Sequence, residues 1–162
     1  MKRTLWAGLF VLALAGCATM GDPRVAALSV QVVESALTEA PVELQRAADQ
    51  GQANAQLSYS IVLRYGLNGT KADADAAKAY HMLALASRGT TTTAIYVPNG
   101  KHSGHTQLVS IPRYDISGAT AWAADDCVDA LQTQVKAEAI GNRCGGADTY
   151  THLAGLWAQA RP

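Results

Sequence analysis

Between Asp22 and Gly89 the chain is cut into short apolar stretches by proline and glycine, and this punctuation limits the fold more than any other feature. Asp22-Pro23 sets an N-capping side chain before a proline in the first helical turn, where the missing N–H costs nothing. Val25, Leu28, Val32 and Ala36 then share one helical face. Pro41 opens a second helix that runs to Gln50 and is closed by Gly51. Ala53, Leu57, Ile61 and Tyr65 form the face of a third, ended by Gly66. Asp73 or Asp75 caps a fourth, which carries Ala79, Leu83 and Ala86 and is closed by Gly89. The expected fold is mainly α, a short stack of antiparallel helix pairs. Composition agrees: alanine supplies 31 of 162 residues and phenylalanine one, which favours close helix packing over a bulky sheet core.

Within this region, Ala47-Ala48-Asp49-Gln50-Gly51, then Ala53, Ala55-Gln56 and Leu57, resembles the Sel1-like repeat, a relative of the tetratricopeptide repeat. Gly66 and Gly69 stand where that repeat has its turn glycines. Asp75-Ala76-Ala77-Lys78-Ala79 matches the opening of its second helix, and Leu85-Ala86 with Gly89 resembles its end. The match departs from the pattern in three places. Ser60 replaces a glycine, the loop Gly69-Thr70-Lys71 lacks the usual valine-proline, and the final segment is one residue short. The resemblance covers about residues 41–89, with 41–51 as the tail of a degenerate preceding unit. It implies a scaffold that offers a surface to a protein or peptide, with no catalytic centre and no cofactor. Arg64, Tyr65, Tyr80 and His81 are the candidate groove-facing residues.

The N-terminus reads as an address. Lys2 and Arg3 precede an apolar or small stretch from Leu5 to Ala15, the length of a signal-peptide core and too short to span a bilayer. Leu14-Ala15-Gly16-Cys17 resembles the bacterial lipobox. That resemblance implies removal of residues 1–16, lipidation of Cys17, residues 17–24 as a lipidated linker, and one domain over 25–162. Three acyl chains hold a membrane far better than one. Ala18, in place of aspartate after the cysteine, suggests the outer membrane facing the periplasm, with the inner membrane or cell surface as alternatives. Loss of Lys2 and Arg3 leaves the mature chain mildly acidic. The full chain has 13 basic and 13 acidic residues, so there is no basic excess for nucleic acid to engage.

With Cys17 committed to lipid, Cys127 and Cys144 form an even pair, and in an oxidising compartment a disulfide is the default. Ala124, Val128, Leu131, Val135 and Ala139 make one helical stripe. A helix from Cys127 to Ile140 would carry the chain about 20 Å away. Gly141 to Cys144 reach back only about 14 Å. The bridge therefore requires the helix to stop or bend near Lys136 to Ala139.

Residues 90–118 read as a β-hairpin or a long ordered loop. Thr90–Thr93, Ile95, Tyr96 and Val97 are β-formers, Pro98-Asn99-Gly100 signals a turn, and Leu108-Val109-Ser110-Ile111 is a second strand. His102-Ser103-Gly104-His105 is the expected tip. The C-terminal helical part covers 119–161, entered from Ser117 or Gly118. Asp148 is the expected cap of a last helix with Leu153, Leu156, Trp157 and Ala160 on its face, placed to cover the open end of the stack.

No nucleophile elbow, zinc-protease motif or phosphate-binding glycine loop is present. His102 and His105, with His81 or His152, are too loosely spaced to pre-orient a metal, so no metal is expected. Asp125, Asp126 and Asp129 suit the early turns of a helix, where its dipole stabilises negative charge. Tyr65, Tyr80, Trp122 and Trp157 are expected to be core residues. An envelope enzyme using His102 or His105 with Ser103 or Asp115, and a purely structural envelope protein, are the competing readings.

Overall fold

The computed structural model describes residues 22–100 and 102–161; the lipobox-like segment 14–17, with Cys17, lies outside them. The chain is mainly helical with one two-stranded hairpin: α1 (Pro23–Thr38), α2 (Pro41–Asp49), α3 (Ala53–Tyr65), α4 (Ala74–Ala84), β1 (Thr90–Asn99), β2 (His102–Pro112), α5 (Gly118–Gln132) and α6 (Ala147–Ala160). Short 3-10 turns occupy Leu67–Gly69, Ala137–Ala139 and Arg143–Gly145.

Local chemistry sets the helix ends. Asp22 accepts from Arg24 N at 2.8 Å to start α1, and Pro41 occupies the first turn of α2. Asp73 accepts from Ala76 N at 2.9 Å to start α4, and Ser117 accepts from Thr120 N at 3.0 Å to start α5. α2 ends in a Schellman turn: Gly51 has φ +85°, and Gln52 N donates to Ala47 O at 3.1 Å. Gly66, at φ +64°, ends α3; a Cβ there would meet Thr70 O at 3.1 Å.

α3 is the centre of the body. Ala55 through Leu63 are all buried, because the helix packs against α1, α2 and α4 on different sides. α1 in turn packs against α5 and α6. Val32, Val33, Leu57, Ile61, Val62, Val128 and Leu153 are at most 1% exposed, and each such side chain contributes about 1.5–3 kcal/mol by leaving water. Small residues let the backbones approach. Ser58 Oγ donates to Val32 O at 2.9 Å across the α3–α1 seam, and Gln56 Nε2 donates to Ala48 O at 3.0 Å across the α3–α2 seam. The Gln56 amide is completed by Arg88, which donates to Oε1 at 2.7 Å.

Cys127 and Cys144 are joined, with Cα atoms 4.9 Å apart. The helix stop that permits this comes earlier than expected. α5 ends at Gln132, because Gln134 takes φ +53° and Val135 N reaches back to Ala130 O at 3.1 Å. This is a Schellman turn built without glycine. Ala139 therefore lies off the helical stripe and is exposed.

Four further expectations need correction. α4 stops at Ala84 rather than running to Gly89, with Leu85 as its C-cap. Its buried side is Ala77 and Ala84, with Ala76, Tyr80 and Leu85 partly covered; Ala79, Leu83 and Ala86 face outward. Asp148 sits in the first turn of α6 rather than at its cap, which is Gly146, so its carboxylate acts on the helix dipole instead. α6 packs on α1 and α5, leaving the outer side of α4 uncovered.

β1 and β2 pair antiparallel from Thr90↔Pro112 to Val97↔His105, with an irregularity at Pro98. Residues 90–112 are thus a hairpin, the long-loop alternative falls away, and the reversal occurs at Gly100 rather than at His102–His105. Asn99-Gly100 supplies the turn chemistry, and Pro98, lacking an N–H, is where the ladder breaks.

Candidate functional site

The four candidate contact residues separate into three groups. Arg64, at the end of α3, donates to Asp125 Oδ1 of α5 at 2.8 Å and lies 3.5 Å from His81 Nδ1 of α4. Arg64 and His81 are therefore neighbours on the α3–α4 surface, which Arg64 ties to α5 through Asp125. The Arg64 and Asp125 side chains are each about a third exposed, so the pair contributes at most about 1 kcal/mol and holds the arginine in place more than it stabilises the fold.

Tyr80 faces the other way. Its hydroxyl donates to Asp49 Oδ1 at 2.6 Å, and its ring meets Tyr59 edge-on at 5.0 Å between centroids. The hydrogen bond to Asp49, then burial and the carboxylate's charge, push the Tyr80 phenol from 10.0 up to about 12. Burial, then the same carboxylate, raises the Tyr59 phenol. Tyr65 turns to the far side of α3, edge-on to Trp157 at 5.3 Å. Three of the four aromatic residues expected in the core are therefore packed. Trp122 is the exception, 54% exposed on α5.

The feature that periodicity misassigned is the outer side of α4. Ala79, Met82 and Leu83 form a short exposed stripe there, Met82 by 64% and Leu83 by 48%, with exposed Asp75 and Lys78 alongside; Ala86, also exposed, lies past the end of the helix. α4 thus leaves two large apolar side chains, Met82 and Leu83, in solvent away from the side packed on α3. Neighbouring exposed apolar side chains of this kind occur at contact surfaces. The stripe adjoins Tyr80 and His81 in sequence, which links it to the Arg64–His81–Asp125 surface.

Two clefts lie elsewhere. One of about 180 Å³ is bounded by Val25 and Ser29 of α1, Trp122 and Asp126 of α5, and Arg143 and Cys144. Arg143 Nε donates to Asp126 Oδ2 and its NH2 group to Asp126 O, both at 2.8 Å, so its charge is already engaged. The other, about 600 Å³, is a groove between the end of α5 and α6, floored by Leu131, Val135, Tyr150 and Trp157. Neither is lined by a histidine.

The titratable residues of the enzyme reading do not converge among the described residues. His105 is exposed on β2, paired in register with Val97. Asp115 lies 3.6 Å from Arg88, and His152 lies 3.3 Å from Glu34. The side chains of His102 and Ser103 lie outside the description. Asp125, Asp126 and Asp129 stand midway and late on α5, whose first turn holds no acid, so the expected dipole contact does not form; the first two pair with arginines instead. No group of three His, Cys, Asp or Glu side chains among the described residues is placed to hold a metal ion. No family model matches the chain, and no curated protein or solved structure matches it.

Proposed function

We propose that this protein is a lipid-anchored envelope module that holds a protein or peptide partner, built on a Sel1-like pair of helices. The observation that carries the reading is the exposed apolar stripe of α4, Ala79, Met82 and Leu83. In a helical stack a terminal helix needs a polar outer side unless something covers it. This one has two large apolar side chains there, next in sequence to His81, which meets Arg64. The positive-φ turns at Gly51 and Gly66, and Gln56 bridging the α2–α3 seam, agree with a Sel1-like repeat. The address is the lipobox-like Leu14-Ala15-Gly16-Cys17, placing the module on the periplasmic side of the outer membrane.

In this reading the stripe supplies the buried centre of the contact, and Arg64 and His81 form a polar rim on one side of it, with Tyr80 packed on the opposite side. No cofactor takes part. The test is crosslinking and mass spectrometry of the anchored protein in its own host, comparing wild type with Leu83→Glu and with Arg64→Ala. A specific partner lost in Leu83→Glu and weakened in Arg64→Ala supports the module. An unchanged crosslink pattern in Leu83→Glu refutes it.

A further inference from the structure

The hairpin is the one element that the helical body does not explain. β1 and β2 run for 10 and 11 residues, yet no helix packs substantially on either. Only the root is tied in: Arg88 N donates to Arg113 O at 2.8 Å and Arg113 N to Gly89 O at 2.9 Å. A lone two-stranded hairpin is marginal in water. This one also exposes large apolar side chains, with Tyr96 at 66%, Leu108 at 71%, Ile111 at 49% and Ile95 at 41%.

Its edges lack the usual protection. Neither strand contains Asp, Glu, Lys or Arg. Natural edge strands are normally blunted by charge, proline or a bulge. The prolines stand at the ends, Pro98 near the tip of β1 and Pro112 closing β2 at the root, so Thr90 to Val97 of β1 present eight consecutive residues without a breaker. Thr91-Thr92-Thr93-Ala94-Ile95-Tyr96-Val97 has the β-propensity and neutrality of a segment that pairs with its own kind. β2 is less open near the tip: Tyr96 accepts from Gly104 N at 2.7 Å, and its ring fills the space where a Cβ at Gly104 would sit.

We propose that the free edge of β1 pairs antiparallel with β1 of a second copy of this chain, making a four-stranded sheet across a two-fold axis. The occupant follows from charge. A neutral strand meets its own copy with no like-charge penalty, and an isologous contact demands that self-complementarity. Symmetry fixes the register. Antiparallel partners share a face, so the axis must pass through a residue, and full overlap of Thr90–Val97 puts Thr93 or Ala94 opposite itself. Thr91, Thr93, Ile95 and Val97 of both copies then lie on one face with Val109 and Ile111, joining two apolar strips into one. A single strand edge buries less than the ~1,200 Å² of a stable complex, so the association is reversible.

The test is sedimentation equilibrium of the full chain in density-matched detergent, with Ala94→Lys and Ala94→Glu. Ala94 is exposed, and unchanged circular dichroism and thermal melting check that the helical body is intact. Wild type should self-associate to a dimer. Each variant alone should associate about tenfold more weakly, because like charges meet near the axis. An equimolar mixture of the two should recover the dimer, which a misfolded variant cannot do. A monomeric wild type, variants that dimerise like wild type, or a mixture that does not recover each overturns the proposal.

Discussion

Removing the Cys127–Cys144 bridge should destabilise the protein by about 3 kcal/mol, and the structure says where the cost arises. The bridge closes a loop of sequence separation 17, for which chain entropy gives about 3 kcal/mol at 25 °C. Little else should be lost, because Arg143 still clamps Asp126 beside the same junction with two 2.8 Å hydrogen bonds. Cys144 also sits at φ +51°, a left-handed conformation that costs a residue with a Cβ about 1 kcal/mol or more. Paired variants separate these effects. Cys127→Ala with Cys144→Ala should lose the full ~3 kcal/mol. Cys127→Ala with Cys144→Gly should lose about 1 kcal/mol less, because glycine accepts that backbone. Urea unfolding of the full chain, with and without reductant, measures both. Reductant should lower wild type to the level of the double variant and leave the double variant unmoved. A loss under about 1 kcal/mol, or a glycine variant no better than the alanine one, would refute the reasoning.

Further outcomes follow from other named contacts. Tyr80 titrates at about 12 in the folded protein against 10.0 unfolded, so its share of stability is complete below pH 10 and is lost as pH rises from 10 toward 12. Phenolate absorbance should show Tyr80 titrating late, with Tyr59 also raised, and Asp49→Asn should bring both down. Gln56→Ala should cost about 2–4 kcal/mol, since it strands Ala48 O and the buried side of Arg88; denaturant midpoints read this directly. Gln134→Gly should raise stability by about 0.5–1 kcal/mol, seen as a higher melting temperature, because Gln134 is exposed at φ +53°. Intact mass of the membrane-extracted chain should begin at a triacylated Cys17, and Cys17→Ser should release the protein from the membrane.

Much of the architecture was legible because short-range chemistry fixed it. Asp22, Asp73 and Ser117 cap by side-chain acceptance, Pro41 fits a first helical turn, and Gly51 and Gly66 take left-handed turns. The hairpin was legible from β-formers either side of Asn99-Gly100. The end of α5 was not, because its left-handed residue is Gln134, which carries no turn signal. The orientation of α4 was hidden for a different reason. Alanines on both sides are equivalent in periodicity, and only the fit of Ala77 and Ala84 against α3 decides which side is buried. The same ambiguity hides the exposure of Met82 and Leu83, since Leu83 shares the periodicity of a core position. Arg64 and His81 lie 17 residues apart in sequence, and their meeting depends on the α3–α4 packing that no local pattern specifies.

The central claim is that the outer side of α4 is a contact surface. A photo-crosslinking residue placed at Met82 in the full chain, in its own host, tests it most directly, with the same residue at exposed Gln159 on α6 as the reference. One protein should be captured at Met82 and absent at Gln159, and the added change Leu83→Glu should abolish the capture while leaving helix content and the disulfide intact. Equal capture at both positions, or capture at Met82 that survives Leu83→Glu, would contradict it.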